Sequence, residues 1–317
     1  MLDSLQYLIL KFLFPRIPDA PECMLRGNRP RSVSDFLGKE FLGNIQGMSV
    51  IDFGCGFGEQ AMEIARAGAE RVIGIDIRSD VLEVAREKAK RARLSNCFFV
   101  TETDLKADVI ISIDSFEHFA DPSKILEVMT RLLNTSGRVF VSFGPTWLHP
   151  LGGHLFSFFP WSHILFSEKA LIRWRSDFKR DGARTFADVA GGLNKMTIGR
   201  FLDVVSRSPL EVVELNIVPI RRLRPFHNRF TREFTTSVVR CVLRPRQATP
   251  PNKSGDGDAA SASVSPAGNK MPTRPRRRTQ DSAETRLPTP QNSGREMAAA
   301  IYIGSSSKPR QMLQASN

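Results

Sequence analysis

The sequence predicts an α/β fold: a doubly wound, mostly parallel sheet with helices on both faces. Two observations carry this prediction. Short apolar runs alternate with amphipathic helical patterns over residues 46–144, and a glycine-rich turn separates the first run from the first helical pattern. Strands that alternate with helices form parallel sheets. The chain has 317 residues and is 41% hydrophobic, which is ordinary for a folded protein and enough to bury a core.

The predicted elements follow one another in this alternation. No helix is predicted between the last two strands, so we expect them to pair antiparallel at the sheet edge. Ser79 is a predicted helix N-cap, and Asp121-Pro122 is a predicted helix start because proline fits the first helical position. The elements are strands at Ser49–Phe53, Arg71–Ile77, Cys97–Val100, Asp108–Ile113, Arg138–Phe143, Leu210–Ile220 and Thr235–Leu243, and helices at Glu59–Ala67, Ser79–Arg91, Ser123–Leu133 and Thr197–Ser206.

We expect the chain to have three parts. Residues 1–45 are a helical segment that packs on the central domain, and their apolar stretch Gln6–Pro15 is either a packing helix or an interfacial membrane anchor. Residues 46–245 are the domain itself. Residues 246–317 are rich in Pro, Ser and Ala and contain one aromatic residue, Tyr302, which predicts a disordered basic tail. No apolar run is long enough to span a membrane, so only peripheral membrane contact is considered.

The positive charge is divided between two unlike regions. The net charge of the chain is +12, and residues 245–317, less than a quarter of the chain, carry half of this net charge. We therefore expect no nucleic-acid partner for the domain, and only the tail, where Arg274–Arg278 are clustered, offers nucleic acid a site. A second cluster, Arg221–Arg232, is either a solvated loop or a site for an acidic acceptor or a lipid head group. Unpaired thiols and a cytoplasmic location are expected because the cysteines are far apart: Cys23, Cys55, Cys97 and Cys241.

A glycine-rich loop follows the first strand, at the edge where open parallel sheets bind their ligands. Residues Asp52–Gly58 read D-x-G-x-G-x-G. A dinucleotide site has G-x-G-x-x-G, and its third glycine is replaced here by Glu59, whose carboxylate would repel a pyrophosphate. This acidic rim favours a cofactor with an ammonium and a sulfonium group. Asp76 ends the second strand, where a carboxylate accepts both hydroxyls of a ribose, and Ile77 beside it offers an apolar face to an adenine.

Residues 46–144 resemble the class I S-adenosylmethionine-dependent methyltransferases, in particular the small-molecule branch with a methyltransferase domain of the type 11 kind. The resemblance rests on Val50–Gly58, Gly74–Ile77, Asp108–Ile113 and Phe116–Pro122. It implies a seven-stranded Rossmann-like sheet, S-adenosyl-L-methionine as the cofactor, and transfer of its methyl group to a nucleophile. On this resemblance Asp52 holds the methionine part of the cofactor, Asp76 holds the ribose, and Asp104 lies near the adenine amine. The full set of implied cofactor residues is Asp52, Gly54, Cys55, Gly56, Gly58, Asp76, Ile77, Asp104 and Ile113.

The stretch after the fifth strand points to the acceptor. Residues 144–178 are unusually rich in aromatic side chains, and an insertion at this place lies above the cofactor in the family that the chain resembles. We expect residues 145–196 to form an aromatic lid over an apolar acceptor site. The alternative is that these aromatic residues form a small core of their own. After the fourth strand the chain lacks an Asn-Pro-Pro-aromatic motif, which argues against methylation of nucleic-acid bases.

Three histidines are candidate catalytic bases. His118 follows the fourth strand, near the expected position of the methyl group, and His149 and His154 follow the fifth. These histidines and Glu117 have side chains of the kind that bind metal ions, but their spacing matches no metal motif, so no metal is expected.

The sequence therefore predicts an enzyme, an S-adenosylmethionine-dependent methyltransferase that acts on a small, apolar or aromatic acceptor. O- or C-methylation is favoured over N-methylation. Two alternatives stay open. The acceptor is RNA or protein held by the basic tail, or the chain is a cofactor-binding module without catalysis.

Overall fold

The structure is a computed structural model that describes residues 2–15, 32–157, 159–179, 182–188 and 192–246. The predicted disordered tail and Cys23 lie outside these residues. Within them one sheet contains seven strands: β1 (Ser49–Phe53), β2 (Arg71–Ile75), β3 (Cys97–Val100), β4 (Ala107–Ile113), β5 (Leu133–Phe143), β6 (Leu210–Pro219) and β7 (Thr236–Pro245).

The strand order confirms the predicted doubly wound sheet. It is β3-β2-β1-β4-β5-β7-β6. The first five strands run parallel, and β7 pairs antiparallel with both β5 and β6. The chain order reverses between β1 and β4, so the connections that leave these two strands diverge to opposite sides. Ligands of open α/β sheets bind in the crevice that forms at this point.

Helices flank the sheet on both sides. Asp121 Oδ1 accepts a hydrogen bond from Lys124 N at 3.1 Å, which confirms the predicted helix start. The prediction of Ser79 as an N-cap is wrong: Arg78 occupies the cap position and Ser79 is the first helical residue. The helices are α1 (Leu2–Leu13), α2 (Val33–Leu37), α3 (Lys39–Asn44), α4 (Glu59–Arg66), α5 (Ser79–Arg91), α6 (Pro122–Leu132), α7 (Ser162–Leu165), α8 (Glu168–Ser176), α9 (Ile198–Ser206) and α10 (Arg232–Thr235).

Two hydrophobic clusters cover the two faces of the sheet. Alternate residues of β1 belong to different clusters: Ile51 and Phe53 pack with α6 and α9, and Val50 packs with α2 to α5. This alternation is the expected consequence of strand geometry, in which successive side chains point to opposite faces. The central parallel strands β1 and β4 are therefore buried on both sides, as parallel sheets require.

A third hydrophobic cluster lies outside the sheet and joins α1 to the segment that follows β5. Its members include Tyr7 and Leu10 of α1, Trp174 of α8, and Phe156 and Phe186. Several aromatic residues of the predicted lid are thus packed in a small core of their own, as the alternative to a lid predicts. No helix in the described part of the chain is long and apolar enough to cross a membrane.

Candidate functional site

The glycine-rich loop is tied to the end of the neighbouring strand. The backbone N–H groups of Gly54 and Cys55 both donate to the carbonyl oxygen of Ile75, at 2.8 and 2.9 Å. Gly56 N donates to Asp76 Oδ2 at 3.0 Å. These bonds hold the loop at the carboxyl edge of β1 and β2 in a fixed conformation.

The three glycines of the loop are required for different reasons. All three have positive φ, a conformation that residues with a Cβ rarely adopt. A Cβ on Gly54 would lie 2.6 Å from Ser115 Oγ, and one on Gly58 would lie 2.4 Å from the ring of Phe99. A Cβ on Gly56 would meet only Nη2 of Arg78, at 3.7 Å. The outer side of the loop at Gly56 is therefore open to the close approach of a ligand.

Asp52 places a buried carboxylate directly beneath this loop. Its side chain is buried and its Oδ2 atom has no hydrogen-bond partner among the described residues. Burial, followed by the nearby charge of Asp76, raises the pKa of Asp52 to about 7, although the N–H of Ala61 in α4 acts in the opposite direction. An unpartnered buried carboxylate oxygen is costly. The arrangement fits the ammonium group of an S-adenosylmethionine molecule.

Asp76 has partners on both carboxylate oxygens. Besides Gly56 N, it accepts from Arg78 N and Nε at 3.0 and 3.1 Å through Oδ1, and from Arg78 Nη2 at 3.2 Å through Oδ2. Asp76 therefore fits the ribose of the cofactor only if the guanidinium of Arg78 gives up its place to the ribose hydroxyls.

The charge of Glu59 is compensated by a lysine. Glu59 Oε1 lies 2.6 Å from Nζ of Lys88, and this ammonium also lies 5.2 Å from the centre of the Phe57 ring. Glu59 is thus a weaker argument against a pyrophosphate than its position in the sequence implies. The distinction between cofactors rests more firmly on the buried oxygen of Asp52.

The remaining implied cofactor residues differ in exposure. Ile113 is buried at the end of β4, Ile77 is half-buried, and the side chain of Cys55 packs below the loop. Asp104 is exposed. Glu102, which sequence reasoning missed, follows β3 and has a buried Oε2 atom without a hydrogen-bond partner in the described chain.

A short turn after β4 brings a second buried carboxylate to the loop. Ser115 Oγ donates to the carbonyl oxygen of Gly54 at 3.0 Å, which fixes this turn against the glycine loop. Glu117, two residues later, is buried. Its Oε1 accepts from Gly144 N at 3.3 Å, and its Oε2 has no partner within the described residues. Burial raises the pKa of Glu117 to about 7.

The structure brings together two of the three predicted histidines. The rings of His118 and His154 lie 5.4 Å apart, edge to face. His154 has a left-handed backbone (φ +48), and its buried Nε2 has no partner among the described residues. Burial and the neighbouring His118 lower the pKa of His154 to about 3. A histidine with positive φ is strained, and such strain is often found at functional sites.

The other two histidines of this region have structural partners. His149 Nδ1 accepts from Leu151 N at 2.9 Å, and burial lowers the pKa of His149 to about 4. His163 bonds Ser157 Oγ through Nδ1 and the carbonyl oxygen of Trp147 through Nε2. The described residues include no group of three His, Cys, Asp or Glu side chains arranged to hold a metal ion.

Glu117 and His154 line the same crevice, which is too narrow in this structure to admit a water molecule. Its wall is completed by apolar and small residues from the segment after β5 and by the Lys195 side chain, namely Pro145, Trp147, Gly152, Leu193 and Met196. The two titratable side chains therefore lie together beside apolar residues, and each has one buried atom without a hydrogen-bond partner among the described residues.

Residues 192–194 fix this turn from a distance in sequence. Asn194 N donates to the carbonyl oxygen of Glu117 at 3.0 Å, and Asn194 Nδ2 donates to those of Phe116 and Phe119 at 2.9 and 3.0 Å. Nδ1 of His118 donates to the carbonyl oxygen of Gly192 at 2.9 Å. Sequence reasoning missed Glu117 as a base and Asn194 as its support, because both roles depend on contacts between distant segments.

Comparisons with known proteins agree with this geometry. Residues 45–145 match the family model of a methyltransferase domain. The ubiquinone biosynthesis O-methyltransferase of Acinetobacter baylyi is 32% identical over 111 residues, which are 32% of this chain and 46% of that protein. The ribosomal protein L11 methyltransferase of Photobacterium profundum is 33% identical over 105 residues, 31% of this chain and 34% of that protein.

The chain thus aligns with less than half of the length of these two relatives. Among solved structures, the PH0226 protein from Pyrococcus horikoshii is similar with a TM-score of 0.45 and 18% identity, over 75% of this chain and 99% of that one. The matched region contains the glycine-rich loop, Asp52, Asp76 and Glu117, and it ends one residue after Gly144. Residues 45–145 therefore form a domain of the class I S-adenosylmethionine-dependent methyltransferase family, with S-adenosyl-L-methionine as its cofactor.

Proposed function

We propose that this protein transfers a methyl group to an oxygen atom of a small, mainly apolar acceptor. The observation that carries the proposal is the buried, unpartnered Oε2 of Glu117, a residue that lines a narrow crevice one short turn away from the glycine-rich loop. A hydroxyl acceptor must lose a proton when it is methylated, and a buried carboxylate beside the crevice is suited to receive it.

The cofactor residues act by binding and orientation. Asp52 Oδ2 would hold the ammonium group, the open side of Gly56 would admit the methionine part, and Asp76 would accept the ribose hydroxyls once Arg78 has moved. When bound, S-adenosylmethionine supplies a methyl group activated by its sulfonium charge. The rest of the catalytic effect comes from holding the nucleophile in line in a site that excludes water.

Glu117 is the better candidate for the proton acceptor. A general base works best when its pKa is near the working pH, and burial brings the pKa of Glu117 to about 7. The pKa of His154, lowered to about 3, makes it a poor base but leaves a neutral ring that accepts a hydrogen bond from a hydroxyl. Methylation of the acceptor oxygen would release its O–H proton, and Glu117 would take up that proton. His118 contacts the ring of His154 edge to face and orients it.

Transfer of labelled methyl groups to a panel of lipophilic phenols and alcohols tests the proposal. Glu117→Gln is expected to lower turnover by about 100-fold or more without changing cofactor affinity, and His118→Ala is expected to lower turnover less. Glu87→Gln, on the exposed side of α5, is the matched control. Turnover of Glu117→Gln equal to that of the control would remove Glu117 as the base.

A protein acceptor is the second candidate, because one of the two relatives above is named a ribosomal protein L11 methyltransferase. Comparison of the full chain with a variant that ends at residue 246 separates the two. Unchanged transfer to small acceptors favours the first proposal, and transfer only to protein or RNA, lost with the tail, favours the second. Cofactor binding without transfer to any acceptor would favour a non-catalytic module.

We propose the cytoplasm as the place of action. Cys55, Cys97 and Cys241 are buried thiols without a disulfide, and burial raises the pKa of Cys97 and Cys241 to about 12. Such thiols are inert structural residues, as expected in a reducing compartment.

A further inference from the structure

Helix α1 exposes its apolar side. Phe12 is 85% exposed and Leu2 is 67% exposed, values normally found for charged surface residues. The exposed residues recur at the three- and four-residue spacing of one helix face, and they are Leu2, Leu5, Leu8, Ile9, Phe12 and Leu13.

The polar side of α1 packs against the protein. Asp3 Oδ1 accepts from Ser167 Oγ at 2.6 Å, Gln6 Oε1 accepts from Ser167 N at 2.8 Å, and Tyr7 OH donates to Asp177 Oδ2 at 2.8 Å. Leu10 is the one apolar residue of this side that is fully buried. A surface helix of a globular protein normally buries its apolar face. The inverted orientation of α1 is held by specific hydrogen bonds, so the apolar face is presented outward by the fold.

A second exposed surface lies between β6 and β7. In residues 220–235 three phenylalanines stand among five arginines: Phe226, Phe230 and Phe234 with Arg221, Arg222, Arg224, Arg229 and Arg232. Phe230 is 76% exposed and Phe226 is 66% exposed.

The positive charge of this segment is almost uncompensated within it. Its single acidic residue is Glu233, whose carboxylate accepts hydrogen bonds from Ile198 N and Gly199 N at the start of α9. The guanidinium of Arg229 lies 4.4 Å from the centre of the Phe230 ring, so positive charge and exposed aromatic surface are adjacent.

Both surfaces lie toward the carboxyl end of the parallel strands, the end at which the candidate site is located. β7 runs antiparallel to β5 and pairs Val239 with Phe143, so residues 220–235 lie at the carboxyl end of the parallel strands. Helix α1 packs on α8, which belongs to the segment that leaves β5 at this edge.

We propose that the apolar face of α1 and the arginine–phenylalanine segment 220–235 together form a docking surface for an anionic lipid bilayer. Outward apolar side chains enter the acyl region, and adjacent arginines pair with anionic head groups. A second copy of this chain fits less well, because a two-fold contact through this surface would bring the arginines of both copies together. RNA fits less well because the exposed face of α1 offers apolar side chains and no cations to phosphate.

The docking does not depend on methyl transfer. If the proposed function also holds, docking brings the candidate site to the membrane surface, where apolar acceptors accumulate. The two proposals fail separately, because vesicle binding is measured without an acceptor and methyl transfer is measured on acceptors in solution.

Vesicle co-sedimentation of the full chain tests the docking. We expect binding to phosphatidylcholine vesicles with about 30 mol% phosphatidylglycerol and little binding to phosphatidylcholine alone. Leu8→Ser with Phe12→Ser, and Phe226→Ser with Phe230→Ser, are each expected to weaken binding by about tenfold or more. Replacing Arg221 or Arg222 with Gln should weaken it by about fivefold each, or about 1 kcal/mol.

A matched control and two further measurements keep the test decisive. Val84→Ser removes an exposed apolar side chain from α5 and should leave vesicle binding unchanged. Calorimetric binding of S-adenosylmethionine by each variant shows that it is folded. Vesicle binding that is absent, or that is insensitive to the α1 and phenylalanine variants, overturns the proposal, and in the second case the basic tail accounts for it.

A second copy of the chain and RNA, the two other candidate partners of this surface, would each give a different result. Concentration-dependent dimerisation that the Leu8→Ser, Phe12→Ser variant abolishes, without vesicle binding, assigns the α1 face to a second copy and overturns the proposal. Binding of a single-stranded RNA 20-mer that is lost in the Phe226→Ser, Phe230→Ser variant, again without vesicle binding, overturns it in favour of RNA.

Discussion

Gly56 and Gly47 form a matched pair for testing the cofactor loop. Both have left-handed backbones, with φ of +51 and +70. A Cβ at Gly56 would meet only an Arg78 nitrogen at 3.7 Å, and one at Gly47 would meet no atom within 4 Å. Replacement by alanine is therefore sterically tolerated within the protein at both positions. Gly47 lies in the turn before β1, at the end of the strand opposite to the candidate site.

The expected loss of stability is nearly the same for the two variants. A left-handed conformation costs an alanine about 1–2 kcal/mol. Alanine also lowers the conformational entropy of the unfolded chain relative to glycine, and this effect stabilises the folded protein by about 0.4–1 kcal/mol. Both Gly56→Ala and Gly47→Ala should thus lose about 1 kcal/mol in urea unfolding.

Only Gly56→Ala should affect the cofactor. Its methyl group enters the open side of the loop, and we expect the affinity for S-adenosylmethionine to fall by about tenfold or more, which is about 1.4 kcal/mol. Isothermal titration calorimetry of both variants measures this difference. Equal affinities for the two variants would refute the inference that the cofactor approaches the loop at Gly56.

Four further predictions follow from the same site. Gly58→Ala should lose about 2–4 kcal/mol of stability in urea unfolding, because its Cβ would overlap the ring of Phe99 in addition to the backbone cost; a loss no larger than that of Gly47→Ala would contradict this. Arg78→Ala should bind S-adenosylmethionine about threefold more tightly, since a partly exposed ion pair no longer competes for Asp76; unchanged calorimetric affinity would show that the ribose does not replace the guanidinium. The pKa of Asp52, raised to about 7, predicts that cofactor affinity rises between about pH 6 and 8 as the carboxylate ionises, and that Asp52→Asn binds weakly at both pH values; a flat profile of the wild type would exclude Asp52 as the ammonium ligand. Glu117 in the folded protein holds its proton up to a pKa of about 7, so the stability that it contributes is complete below about pH 4.5 and is lost as the pH rises through 7; Glu117→Gln should therefore be more stable than the wild type at about pH 8 and similar to it at about pH 4 in urea unfolding.

The order and type of the elements could be predicted because they depend on local patterns. The strand Ser49–Phe53, the strand Cys97–Val100 and the helix Ser79–Arg91 have the predicted bounds. The error at Ser79 has a local cause: the Asp76 carboxylate binds the backbone and guanidinium of Arg78, so Arg78 takes the cap position.

The candidate site could be predicted only in part. Glycine spacing and the positions of Asp52 and Asp76 are properties of one continuous segment, and the family match includes them. The burial of Glu117 depends on Gly144 and Asn194, which are distant in sequence, and no pattern in the turn itself signals these contacts. The inverted orientation of α1 likewise depends on Ser167 and Asp177, so its composition alone left both interpretations open.

The hydrogen bonds from residues 192–194 to the turn that carries Glu117 have a consequence for engineering and for evolution. Gly192 and Asn194 belong to the segment that supplies most of the crevice wall, and they also hold the backbone of the proposed catalytic residues. A chimera that exchanges residues 145–191 for those of another methyltransferase can change the acceptor and keep this support. An exchange that extends through Asn194 removes the hydrogen bonds that support this turn. Specificity for a new acceptor would then appear together with a lower rate of methyl transfer. We therefore expect that related proteins with different acceptors vary in residues 145–191 and keep the residues at positions 192 and 194.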